Sequence, residues 1–71
     1  MTAKQSRDAV QAAAGHKPAG GWLYVGDTVY HGEDTVTEWT VTHEIREYGR
    51  YVFRIENGLN GRTAPIDYLY Q

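Results

Sequence analysis

From Trp22 onward, apolar and polar positions alternate with a period of two over several stretches. In "WTVTHEI", Trp39, Val41, His43 and Ile45 fall on one face, and Thr40, Thr42 and Glu44 on the other. In "YVFRIE", Tyr51, Phe53 and Ile55 oppose Val52, Arg54 and Glu56. These two runs predict strands joined by a turn at Tyr48-Gly49. Two further short strands are predicted on either side of Gly26, in "WLYV" and "DTVYH", followed by a "GED" loop. Asn57-Gly58 predicts a second hairpin turn, because both residues tolerate positive φ, and a last strand runs from about Leu59 to Ala64. No helical period occurs after Gly21. About five short strands in so short a chain cannot cover a flat sheet with a second layer. The expected fold is therefore all-β, a small five-stranded, strongly bent barrel spanning 22–71.

Residues 1–21 have a different pattern. "MTAKQSRDAVQAAAGHKPAGG" holds Lys4, Arg7 and Lys17 against Asp8 alone, has no aromatic residue, and has only Met1 and Val10 as sizeable apolar groups. Such a segment offers little apolar burial to offset its ordering entropy. The expectation is a flexible basic arm, with "HKPAGG" as a linker. The alternative is a short helix with Ser6 as N-cap, Asp8 in its first turn and Gly15 closing it. Barely two turns would form, and isolated helices below about 12 residues are marginal.

The terminal "GRTAPIDYLYQ" adds a local constraint. Pro65 lacks a donor and fixes φ, so it should end the strand at Ala64. "PIDY" then suits a single 3₁₀ turn with Ile66 inward and Asp67 and Tyr68 outward, before Leu69 returns to the sheet. This ending resembles that of SH3 domains, in which a glycine-containing strand leads to a P-x-x-Y 3₁₀ turn and a short final strand. The matching residues are Gly61, Pro65, Tyr68 and Leu69, and "VGDTVY" extends the resemblance over Val25 to Gln71. The resemblance implies an SH3-like barrel with peptide binding along Tyr68, Pro65 and Trp39. The chain lacks the A-L-Y-D-Y element and a second tryptophan after Trp39. The overall plan also resembles the plasmid-borne type of dihydrofolate reductase. That family carries a Val-Gln-Ile-Tyr run before its proline, where this chain has Gly61-Arg62-Thr63-Ala64, so the resemblance implies none of its activity.

Composition narrows the remaining classes. The 71 residues contain no cysteine, so neither a disulfide framework nor a thiolate metal site is available. No apolar run is long enough for a membrane span or a secretory signal, and a soluble, cytoplasmic protein is expected. His16, His31 and His43 lack metal-site spacing. His31 with Glu33 and Asp34 is expected to be a polar turn, and His43 a partly buried, hydrogen-bonded histidine. No carboxylate pair sits in an apolar setting, and no phosphate loop is present. The expectation is a protein that is not an enzyme and uses no cofactor or metal.

Nine aromatic residues, all after Gly21, exceed what so small a barrel can bury. Tyrosine, tryptophan and arginine are enriched at binding hot spots, which makes Tyr30, Trp39, Tyr48, Tyr51 and Tyr68, with Arg50, Arg54 and Arg62, the candidate contact residues; Tyr70 is a further candidate. The expected function is a protein-interaction or assembly module, gripping a peptide in a Tyr68–Trp39 groove or packing against copies of itself. The alternative is nucleic-acid binding by a stripe of Arg46, Arg50, Arg54 and Arg62 beside Tyr48 and Tyr51, Arg46 and Arg54 sharing a face. Eight carboxylates in 22–71 and a net charge of -2 oppose that stripe. A third and subordinate variant inverts the charge, the acidic barrel occupying a partner's nucleic-acid groove as a mimic, in the manner of small phage-type inhibitors.

Overall fold

The computed structural model describes residues 2–71 of the chain. The alternating segments form one antiparallel sheet: β1 (Thr28–His31), β2 (Trp39–Glu47), β3 (Arg50–Asn57), β4 (Asn60–Pro65) and β5 (Leu69–Tyr70), in the order β4-β3-β2-β1-β5. A 3₁₀ turn, Ile66–Tyr68, is all that separates β4 from β5, although these strands lie at opposite edges. Laid flat, edges four strand spacings apart would stand about 19 Å from each other. Three residues of 3₁₀ helix advance about 6 Å. The sheet must therefore curl on itself, which gives a barrel-like domain with principal extents of 29 × 29 × 18 Å.

The turns follow from backbone chemistry. Tyr48 and Gly49 both have positive φ, 49° and 77°, the requirement of a type I′ hairpin. In the second hairpin Asn57 is still in the strand, opposite Asn60, and only Gly58 has positive φ, at 59°. The turn is thus centred on Gly58-Leu59 rather than on Asn57-Gly58, with glycine at the first central position as a II′ turn requires.

Leu23, Val29, Trp39, Val41, Phe53, Ile55, Ala64 and Leu69 form the core, and Ile66 packs against it from the 3₁₀ turn. Asp67 and Tyr68 stay at the surface. This matches the expected course of the chain past Pro65, although the strand runs one residue further, to the proline itself.

Three expectations are corrected. "WLYV" is not a strand. Gly26 has φ 101°, the Asp27 carboxylate accepts from the Tyr24 amide at 2.8 Å, and the Asp27 amide returns to the Tyr24 carbonyl at 3.0 Å, so 24–27 is a tight turn. Leu23 alone plugs the core from this loop. Second, β2 does not keep its alternation. The register steps from Val41↔Ile55 to His43↔Arg54, leaving Thr42 as the extra residue of a bulge. Beyond it the faces exchange, so His43 is exposed rather than partly buried, and Glu44 and Arg46 take the face of Phe53 and Tyr51.

Third, residues 3–13 follow the short-helix alternative rather than the flexible arm. Ala3–Ala13 form a helix, α1, capped by Thr2 and not by Ser6. Thr2 and Gln5 make a reciprocal capping box at 2.8 and 3.2 Å, and Gly15 leaves the helix with φ 88°. Because α1 lacks an apolar stripe, it docks by polar groups. The buried Gln11 amide donates to the carbonyls of Gly32 (2.6 Å) and Asp34 (3.0 Å), and Asp8 accepts from the Tyr70 hydroxyl (2.7 Å). Lys17 then exchanges two 2.7 Å backbone hydrogen bonds with Gln71, and the Ala19 amide reaches the Leu69 carbonyl at 3.0 Å. The stretch expected to be a linker thus covers the outer edge of β5.

Candidate functional site

The curl of the sheet brings Arg62 from β4 over Trp39 of β2, with the guanidinium carbon 4.5 Å from the ring centre. Arg62 Nη1 also lies 3.2 Å from His31 Nδ1, on β1. His31 stacks at 6.2 Å, 25° from parallel, on Tyr68, and the Arg7 guanidinium of α1 sits 3.7 Å over the same ring. Arg7, His31, Arg62, Tyr68 and Trp39 therefore form one cluster, drawn from α1, β1, β4, the 3₁₀ turn and β2.

Its electrostatics follow from this geometry. Burial lowers the His31 pKa, and the positive charges of Arg62 and Arg7 lower it further, while Asp34 opposes them. A neutral His31 accepts from Arg62 through Nδ1 and keeps its proton on Nε2. Asp34 is held at about 2 by the backbone amide and hydroxyl of Thr37 and by the Val36 amide. It is thus committed to its own turn, with Val36 and Thr37 amides both at 2.9 Å. Burial raises the Tyr70 pKa, and its hydrogen bond to Asp8 adds to the shift.

A second cluster stands on the β2–β3 hairpin. Trp22 meets the Tyr51 ring edge-on at 4.7 Å and rests on buried Phe53 at 5.6 Å. Arg46 lies 5.5 Å from the Tyr51 centroid, its cross-strand partner. Trp22 remains 41% and Tyr51 39% exposed.

The expected contact residues are thus divided. Trp39, Arg62 and Tyr68 come together, but Trp39 is only 5% exposed and lies beneath Arg62, so the Tyr68–Trp39 groove is occupied by the chain's own side chains. No concave pocket opens among the described residues. Tyr51 joins the second cluster, and Tyr48 projects fully exposed from the hairpin tip. Tyr30 stacks on His16 at 3.7 Å and points its hydroxyl toward Glu38 at 3.4 Å, which serves the fold. Tyr70 is fully buried and holds Asp8, so it is structural rather than a contact residue.

The arginine stripe is not formed. Arg46 and Arg62, opposite Tyr51 and Ile55, share one face, whereas Arg50 and Arg54 are on the other. The bulge at Thr42 separates Arg46 from Arg54, which reasoning from strict alternation placed together. Arg54 pairs with Glu56 at 3.5 Å and folds over Gly61, where a Cβ would collide with it.

Arg7, His31 and Trp22 were not among the expected contact residues. Arg7 and Gln11, four apart and both buried, are the one local sign that α1 docks through long polar side chains. His31 stood out in the sequence only as part of a polar turn. No metal-binding group of histidine and carboxylates occurs among the described residues, and no described helix is long and apolar enough to cross a membrane. Comparison of the chain with protein-family models, curated proteins and solved structures finds no match.

Proposed function

We propose that this domain is a non-enzymatic assembly module of SH3-like type that associates with a second copy of itself through the Trp22–Tyr51–Arg46 face. The carrying observation is that cluster. Two large aromatic residues stay about two-fifths exposed while fixed edge-on against each other and against Phe53, so little side-chain entropy remains to be lost on binding. The charges beside it favour a like partner. Glu44 and Arg46 lie two residues apart on this same face, and a two-fold axis between them would set each Glu44 against the other copy's Arg46. A stable interface needs about 800 Å² per partner, roughly a sixth of the 4630 Å² surface. The loop that carries Trp22 exposes Tyr24 and Val25 as well. The P-x-x-Y turn supports the SH3-like assignment. The covered Tyr68–Trp39 groove favours recognition by the hairpin face over peptide gripping.

Sedimentation velocity tests this assignment. A concentration-dependent dimer is expected for the chain as it stands. Tyr51→Lys, which places a second cation beside Arg46, should weaken it about thirtyfold or more while leaving the circular dichroism spectrum intact. A strict monomer at the highest soluble concentration, or an unweakened Tyr51→Lys dimer, would overturn it.

A further inference from the structure

The side chains of α1, β1 and β4 leave a group of cationic donors without an anion. We infer that Arg7, His31 and Arg62, held on the rings of Tyr68 and Trp39, form a binding site for a phosphate-class oxyanion.

Charge is the first support. In a chain of net charge -2 the ordinary neighbour of an arginine is a carboxylate, yet neither Arg7 nor Arg62 has an ion-pair partner among the described residues. Arg62 lies instead against the His31 imidazole at 3.2 Å, and each guanidinium is braced on an aromatic face, Arg7 on Tyr68 at 3.7 Å and Arg62 on Trp39 at 4.5 Å. Stacking fixes the guanidinium planes while leaving their N–H edges available for bidentate contacts. The nearby carboxylates are otherwise engaged. Asp34 caps its own turn, and Asp8 is taken by the Tyr70 hydroxyl and lies 3.7 Å from Lys4.

Unpartnered donors are the second, independent support. Arg7, only 8% exposed, has its Nε buried with no hydrogen-bond partner, and the Nε1 of Trp39, 5% exposed, is also buried without one. A buried donor left without an acceptor is costly, so each favours a bound acceptor. An oxyanion held at the guanidinium edges of Arg62 and Arg7 would bring an acceptor to this donor-rich cluster.

The choice of a dianion over a monoanion follows from proton linkage. Groups facing His31 are Arg62 on β4, Arg7 on α1, Tyr68 on the 3₁₀ turn and Asp34 on the loop after β1. Burial first, and then the two arginines, favour the neutral ring. A bound anion would draw the Arg62 guanidinium off Nδ1 and let His31 take up a proton there, adding a third positive charge. A doubly charged phosphate gains more from that uptake than a carboxylate does.

The test is a titration of the full chain with inorganic phosphate at constant ionic strength, followed by the ring resonances of the histidines and the Trp39 indole N–H. Saturable shifts at His31 and Trp39 are expected, with an upward move of the His31 pKa that His43 does not share. Arg62→Gln, at an exposed position, should weaken phosphate about tenfold or more. Arg54→Gln, on the other face, should leave it unchanged. Acetate in place of phosphate should bind more weakly. Shifts that fail to saturate, equal weakening by Arg54→Gln, or acetate binding as tightly as phosphate would each overturn the assignment.

Discussion

Gln11→Ala measures how firmly α1 is built into the domain. The Gln11 side chain is fully buried and donates to two backbone carbonyls in the Gly32–Asp34 turn, at 2.6 and 3.0 Å. At about 0.5–1.5 kcal/mol per bond, the pair contributes roughly 1–3 kcal/mol. Two effects work the other way. Gln11 Oε1 is itself buried without a partner, and its removal relieves about 1 kcal/mol or more. Alanine also favours helix slightly over glutamine. The lost side-chain contacts and the small void restore part of the cost, for a net loss of about 1–2 kcal/mol. In a domain of this size each 1 kcal/mol moves Tm by about 4–8 °C, so a drop of roughly 5–15 °C is expected. Thermal unfolding should be read together with amide exchange in residues 3–13, which ought to speed up more than exchange in β2 and β3. Ala12→Ser, on the exposed side of α1, is the control. An unchanged Tm with unchanged exchange would refute the docked helix and restore the flexible arm.

Two other predictions concern stability. Tyr48 holds φ 49° with its side chain in solvent, a conformation that β-hairpins prefer to fill with asparagine, so Tyr48→Asn should raise stability by about 0.5–1 kcal/mol in urea unfolding. No gain would mean that the Tyr48 ring contributes contacts in solution. His31 has a folded pKa below its ordinary 6.5, so the unfolded chain binds more protons as acid is added. Its contribution is complete above about pH 6.5 and is lost as pH falls through the folded value. His31→Gln should flatten that part of the stability–pH profile, and an unchanged slope would show that His31 is not shielded as described.

Much of the sheet could be read from the residues, because its determinants are local. β3 keeps strict alternation, so Phe53 and Ile55 face inward as their spacing requires. Pro65 and the apolar Ile66 and Leu69 dictate the terminal 3₁₀ turn through the missing donor, the fixed φ and the need for burial. Both hairpins lie within a residue of the glycines that mark them.

Local pattern fails where a distant contact decides a local choice. The extra residue at Thr42 has no signature in "WTVTHEI", since a bulge is set by how β2 pairs with β3, and it moved His43 and Arg46 to faces opposite those the alternation implied. The docking of α1 is not legible locally, because it rests on amide-to-carbonyl hydrogen bonds across more than twenty residues, which no apolar stripe announces. The candidate sites lie further still from local pattern. Arg62 reaches His31 only because the sheet curls, Arg7 reaches Tyr68 only because α1 docks, and Trp22 finds Tyr51 only because "WLYV" leaves the sheet as a loop. The strands β1 to β4, the glycines that mark the hairpins and the 3₁₀ turn after Pro65 were thus determined by the sequence alone, through steric and burial rules that act over a few residues. Register, helix docking and the meeting of the cationic and aromatic side chains were decided by tertiary structure, since each depends on pairing energies between segments that are remote along the chain.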